Sequence, residues 1–242
     1  MDSSLEPFIK GNLAMSNELT EIDSVAGVCI YSVKGEPKSF IYKAGLMIDC
    51  DGSPNAYGPN NSGIDYTANG GDDSGGNAGA WWGGPVDAYG KPIVQTIYEP
   101  SPGLYVSGTS LINATYPEHS QYRYIDAESI PFFVLPGGHT NGAKAGDVGL
   151  CYNTKTGDNC YGIYADTGPK NKIGEASIRM AEALKIDCDP KKGGTESKII
   201  VYLIFPGSVG TWKPPNVWFD VANTLTKAWG GLTRLKQIAG DL

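Results

Sequence analysis

Tyr164-Ala-Asp-Thr-Gly-Pro-Lys-Asn-Lys-Ile-Gly-Glu-Ala-Ser177 is the stretch on which the reading of this chain turns. The apolar run Tyr161-Gly-Ile-Tyr-Ala165 ahead of it predicts a strand, with Asp166 at that strand's C-terminal end. Beyond the turn, Ile173, Ala176, Met180, Ala183 and Leu184 recur at helical spacing, so a helix is expected from Gly174 with Glu175 in its first turn. Two carboxylates delivered from the ends of different rigid elements can perform acid–base chemistry. A strand-end acid among apolar residues tends to keep its proton, whereas the helix macrodipole favours an ionised acid in a first turn. Such an asymmetry suits a general acid and a general base. The same residues also read without chemistry, Asp166 as the acceptor of an Asx-turn and Glu175 as an N-terminal helix charge.

Outward from this stretch the chain is dominated by strand signals. Residues 24–34 and 39–49 read as strands split by the turn Gly35-Glu-Pro37, and further strands are expected at 93–98, 103–107, 131–135, 147–152, 160–165 and 198–205. After Pro214-Pro215, Trp218, Val221, Ala222, Leu225, Trp229, Leu232 and Leu235 mark a second helical region with a break at Gly230-Gly231. The 33 glycines and 16 prolines call for many tight turns. Asp49 to Gly90 is dense in Gly, Asn and Asp, and a loop of that length in a compact protein is usually functional or a lid. The expected fold is mainly β with flanking helices (α+β), as a single domain over residues 23–242 behind an N-terminal segment, 1–22, of no evident role.

Hydrophobic content of 40% against 19% charged residues places the 242-residue chain among folded proteins and allows a sizeable core. A net charge of -7 with no Lys or Arg cluster makes nucleic acid and anionic membranes poor partners and favours a cationic ligand. There is no run of roughly 18 apolar residues to span a membrane. The opening Met1-Asp-Ser-Ser-Leu-Glu-Pro-Phe8 has no basic and apolar regions in series, so no signal peptide is expected in this chain. Cys151 and Cys160 bracket a hairpin signal that would set them nearly opposite, either as a disulfide or as two buried thiols.

Other chemistries find no pattern. No Cys-x-x-Cys is present, and His119 and His139 stand too far apart for ligand spacing, so neither a metal site nor a Ser-His-Asp triad is expected. Gly70-Gly-Asp-Asp-Ser-Gly-Gly76 does not follow a strand and open a helix, as a phosphate loop would. Asp49 and Asp51 are followed too early by Gly52 for a calcium loop.

Asp166-Thr-Gly-Pro169 followed by Ile173-Gly-Glu-Ala-Ser177 resembles the core signature of the fungal-type chitosanases, glycoside hydrolase family 75. Leu46-Met-Ile-Asp-Cys-Asp-Gly-Ser-Pro54 with Tyr57 and Pro59, Ser101-Pro-Gly-Leu-Tyr-Val-Ser107, and Tyr124-Ile-Asp-Ala-Glu-Ser-Ile-Pro-Phe-Phe-Val-Leu-Pro136 are similar to further family segments in the same order. The chain departs from the family in lacking a visible signal peptide and in carrying Gly58 where His is expected. The resemblance implies endo-hydrolysis of β-1,4-linked glucosamine polymers with inversion, by one Asp and one Glu that map onto Asp166 and Glu175. The Asp-Thr-Gly turn also resembles the acid-bearing strand of double-psi β-barrel lytic transglycosylases, which implies a double-psi-like barrel core with Asp166 as general acid and Glu175 as general base.

In such an enzyme Asp49 and Asp51 would meet glucosamine ammonium groups through charge-assisted hydrogen bonds, or else form a solvated Asp-Gly turn. Asp65, Asp72 and Asp73 would line the same acidic cleft or an ordinary polar loop. Trp81 and Trp82 offer a sugar platform or anchors for the loop, and adjacent extended residues face opposite ways, so one is expected to do each. Tyr57, Tyr105 and Tyr164 are weaker sugar-contact candidates. The resemblance implies a secreted monomer acting on chitosan or a related amino-sugar polysaccharide without a cofactor. Two rival readings are a peptidoglycan-cleaving enzyme on a double-psi barrel and a polysaccharide-binding protein without turnover.

Overall fold

The computed structural model describes residues 18–76 and 79–242. Residues 1–17 of the expected N-terminal segment therefore lie outside the described residues, and Leu19 to Ile22 open the first strand.

The strand expected at 24–34 is instead a hairpin of β1 (Leu19–Val25) and β2 (Val28–Val33). Its turn is Ala26-Gly27, with φ of 48° and 74°, the pair of positive values that a tight two-residue hairpin loop requires. Strand β3 (Glu36–Asp49) follows, then β4 (Phe132–Pro136), β5 (Val148–Asn153), β6 (Asn159–Gly168), β7 (Glu175–Ser177) and β8 (Thr195–Phe205). The order β3-β7-β4-β6-β5-β8 closes on itself because β8 also pairs with β3, which makes a six-stranded barrel with the β1–β2 hairpin beside β3. Pairings are mixed: β3–β7 and β4–β6 are parallel, the rest antiparallel. Closure leaves the six barrel strands without the exposed edges of an open sheet, while β1 of the hairpin pairs on one side with β2.

Phe40, Tyr42, Phe133, Tyr164, Tyr202 and Ile204 fill the barrel interior, where a Cβ added at Gly149 would come within 3.0 Å of Phe133 Cε1 on a non-neighbouring strand. The opposite face of β5 and β6 is covered by α2 (Pro215–Trp229) and α3 (Gly231–Ala239), which bury Trp218, Trp229 and Leu235. The break between these helices falls at Gly230, in the left-handed region at φ 116°.

The strands expected at 93–98 and 103–107 reduce to one isolated bridge between them, Val94 to Tyr105, with a second, Val86 to Pro92, just ahead. Pro92, Pro100 and Pro102 lack the donors that a ladder needs. The long excursion between β3 and β4 is stitched by buried side-chain amides in place of a ladder. Gln121 donates to Gly52 O and Ser107 O and accepts from Ser107 N, while Gln95 donates to Pro54 O and Tyr105 O. A small core of Cys50, Ala56, Tyr57, Trp81 and Tyr105 anchors it over one end of the barrel.

Candidate active site

Glu175 does not begin a helix. Gly174 sits at φ +87° with its Cα so close to Ala44 and Gly45 that a Cβ would lie 2.8 Å from both Ala44 Cβ and Gly45 O. This close passage lets Met47 N donate to Gly174 O, and Glu175, Ala176 and Ser177 then run parallel to Met47, Ile48 and Asp49. The helix α1 (Ile178–Ala183) starts only after Ser177, whose Oγ accepts from Met180 N and Phe132 N and donates to Ile130 O. Ser177 was the legible signal: a serine N-cap marks the helix start three residues later than the apolar spacing does.

Strand β6 also continues past Asp166 to Gly168, stopping at Pro169. Phe133 pairs with Tyr164, but Val134 pairs with Asp166, so Ala165 is an extra residue, a β-bulge. In a regular strand Asp166 would follow Tyr164 into the barrel interior; the bulge re-aims it outward. The carbonyl of Ala165 is taken by Leu111 N at 2.8 Å, which draws Ser110 up to Asp166. There Ser110 N and Oγ each donate to Asp166 Oδ1 at 2.7 Å, and Ser110 Oγ accepts from Thr167 N.

Val134 pairs with Asp166 on one side and with Glu175 on the other, so one strand separates the two acids. Two strand spacings put their backbones roughly 9–10 Å apart. Both acids line an open cavity of about 880 Å³ together with Asp49, Asp51, Tyr57, Trp82 and Lys172. A Cβ added at Gly168 would lie 3.0 Å from Glu175 Oε2, so this glycine leaves the room in which the Glu175 carboxyl rests.

Burial pushes the Asp166 carboxyl above its usual range, opposed by the Ser110 hydrogen bonds that favour its charge. Burial also raises Glu175; the exposed Lys172 ammonium opposes this and the Asp166 charge adds to it. Asp49 and Asp51 are raised well above the ordinary range by burial and by the crowd of like charges, although Asp51 accepts from Tyr57 Oη at 2.8 Å and Asp49 from Asp51 N at 2.7 Å. Among the described residues no three of His, Cys, Asp and Glu are placed to share a metal ion.

Of the residues expected at the site, Asp49, Asp51, Tyr57, Asp65, Trp82, Asp166 and Glu175 come together on this cavity. Trp81 and Trp82 do face opposite ways, but Trp81 is buried between the edges of Tyr57 and Tyr105 and makes no part of the cavity wall. Tyr164 is likewise interior, stacked on Phe133 with its hydroxyl on Thr167 Oγ1, so it supports the acid strand and does not face a ligand. Cys151 and Cys160 are cross-strand partners as the hairpin required, yet both are free thiols, with Cys160 Sγ turned to its neighbour's carbonyl at Tyr161. Burial raises both thiols, which disfavours the thiolates that disulfide formation needs.

Ser110 is the residue that sequence reading missed, because its role depends on the bulge that brings it to Asp166. Ser110→Ala is expected to move the acidic limb of the pH–rate profile up by about one unit, since a hydrogen bond to a charged group contributes about 1.5 kcal/mol or more. Ser110→Thr should restore it, and an unmoved limb in the alanine variant would remove Ser110 from the site.

An open, acid-lined groove across a barrel, with two carboxyls converging from flanking strands, has the form of a polysaccharide-cleaving site. The chain belongs to the fungal chitosanases of glycosyl hydrolase group 75, matching that family over residues 46–217. It is a glycoside hydrolase of the chitosanase class, and its family membership implies a polysaccharide substrate. No curated protein matches the chain in sequence. No helix among the described residues is long and apolar enough to cross a membrane.

Proposed function

We propose that the chain is an endo-acting chitosanase that hydrolyses β-1,4 links between glucosamine residues with inversion, using Asp166 and Glu175. The observation that carries this reading is the placement of the two acids either side of Val134 on one open cavity. The two acids stand on strands separated by one other, with the Glu175 carboxyl resting over Gly168 on the strand that carries Asp166; inversion needs carboxyls about 6.5–9.5 Å apart with water between them. The hydrogen-bond pattern supports roles opposite to those the resemblance implied. Asp166 accepts from two donors on one oxygen, which favours its charged form; among the described residues Glu175 has no hydrogen-bond donor, and burial and the Asp166 charge raise it against the pull of Lys172, so Glu175 is the better placed of the two to carry a proton. Glu175 is then the proton donor to the glycosidic oxygen, and Asp166 the base that activates water.

Asp49 and Asp51 border the same cavity and would meet the ammonium groups of neighbouring sugars. The whole site is built from one chain, so a monomer suffices, and a polymeric substrate suits action outside the cell. Reducing ends are expected from chitosan, with the α-anomer formed first, and not from chitin or peptidoglycan. Because surface attraction between a protein of charge -7 and a polycation is screened by salt, KM for chitosan should rise as ionic strength rises. Anhydro-sugar products from peptidoglycan would favour the lytic rival, and an absence of turnover on all three polymers would leave a binding protein.

A further inference from the structure

A second cavity, of about 720 Å³, opens beside the first and is bordered by Asn60, Asn61, Thr67, Asp72, Asp73 and Trp82. Trp82 borders both cavities. Its side chain is fixed although it is 66% exposed. Trp82 Nε1 donates to Asn69 O at 2.9 Å, and Trp82 N donates to Gly70 O at 2.9 Å. Behind the ring stands Gly71, where a Cβ would lie 3.1 Å from Trp82 Cε3. A large apolar ring held in place and left open to solvent loses little side-chain freedom when another ring stacks on it.

Besides its polar groups the rest of the wall holds the small residues Ala68, Gly71 and Ala80, and no cation is among its lining residues. Asn60 and Asn61 are consecutive non-glycine residues in the left-handed region, at φ 56° and 58°. Backbone held in so sparsely populated a region is concentrated at ligand sites. Asn61 Oδ1 accepts from Thr67 N, which pins this corner. Asp73 is fixed by the Tyr105 hydroxyl at 2.8 Å, so one carboxylate oxygen points from a braced position. An indole face, amide groups and two carboxylates match the apolar ring face, the hydroxyls and the ammonium of an amino sugar respectively.

We propose that this second cavity takes further glucosamine residues of the same chain whose scissile linkage lies between Asp166 and Glu175, with Trp82 as the stacking platform where the two cavities join. The inference rests on the chitosanase reading above and adds where the polymer runs. It makes the enzyme prefer long substrates, because only a long chain reaches both cavities.

The test is kcat/KM on glucosamine oligomers from the shortest one cleaved upward, for wild type, Asp72→Asn/Asp73→Asn and Ala68→Arg. Ala68 is an exposed residue on the second cavity, and arginine there adds bulk and a charge that repels ammonium. For wild type, kcat/KM should climb with length. Both variants should lose about tenfold on the longest oligomer, the size of one charge-assisted hydrogen bond, through KM, with the shortest oligomer unchanged within twofold. The asparagines keep an acceptor for Tyr105, so that variant remains informative if Ala68→Arg folds poorly. An equal loss on short and long oligomers, or no length dependence in wild type, overturns the inference. Failure of the chitosanase reading looks different: wild type would then release no reducing ends from any oligomer, and both ideas fall together.

Discussion

Asp166→Asn and Glu175→Gln are each expected to lower chitosan turnover by about 10²–10⁴-fold, the usual contribution of one positioned proton-transfer group. Both replacements keep the local packing: asparagine still accepts from Ser110, and glutamine still fits over Gly168. Loss of activity in a folded variant therefore reports the lost proton chemistry. The two variants should also fail differently. Glu175→Gln should recover on a substrate whose leaving group needs no proton, and Asp166→Asn should recover with azide, which attacks without a base. The opposite pattern would exchange the roles while keeping the pair, and full activity in either variant would sink the two-carboxylate mechanism. With Asp166 as the proposed base and Glu175 as the proposed acid, the rate should be bell-shaped in pH. Burial raises both groups, so the bell should sit above the pH range of free carboxylic acids.

The acids were legible before the fold that aims them. The apolar runs at 131–135, 147–152, 160–165 and 198–205 became β4, β5, β6 and β8, because buried barrel strands read as continuous apolar segments. The helical break at Gly230-Gly231 was equally plain. The short strand Glu175–Ser177 was hidden, since three residues carry no period and their pairing with β3 and β4 is set by distant chain. The bulge at Ala165 was hidden for the same reason: only the partner strand shows that one residue is extra. Tyr164 is not separable in the sequence because aromatic residues serve cores and sugar sites alike, and only the bulge at the next residue, Ala165, separates its direction from that of Asp166. Ser110 became visible only once the Ala165 carbonyl had found Leu111 N.

Replacing Asp49 or Asp51 with asparagine should stabilise the protein at neutral pH while weakening its hold on chitosan. Asp49 is buried and Asp51 half-buried beside Asp166 and Glu175, and desolvation followed by like-charge repulsion lifts both carboxyls well above their ordinary 3.8. A carboxyl with a raised folded-state pKa binds more protons folded than unfolded at any pH between the two values. Its contribution to stability is thus complete below the unfolded pKa and is lost as pH rises through the folded one. Wild-type Tm should accordingly fall from mildly acidic to neutral pH. Asn at position 49 can still accept from Asp51 N, and Asn at position 51 from Tyr57, so each variant removes charge and keeps the hydrogen bond. The slope of Tm against pH should flatten, with Tm at neutral pH up by about 2–4 °C for each kcal/mol recovered. A cation in the cleft relieves the same repulsion. Chitosan should therefore raise the Tm of wild type more than that of either variant, and KM should rise in both. Unchanged Tm and slope in the variants would mean that the crowded carboxyls cost the fold nothing. The acidic cleft would then need a reason other than an ammonium-bearing substrate.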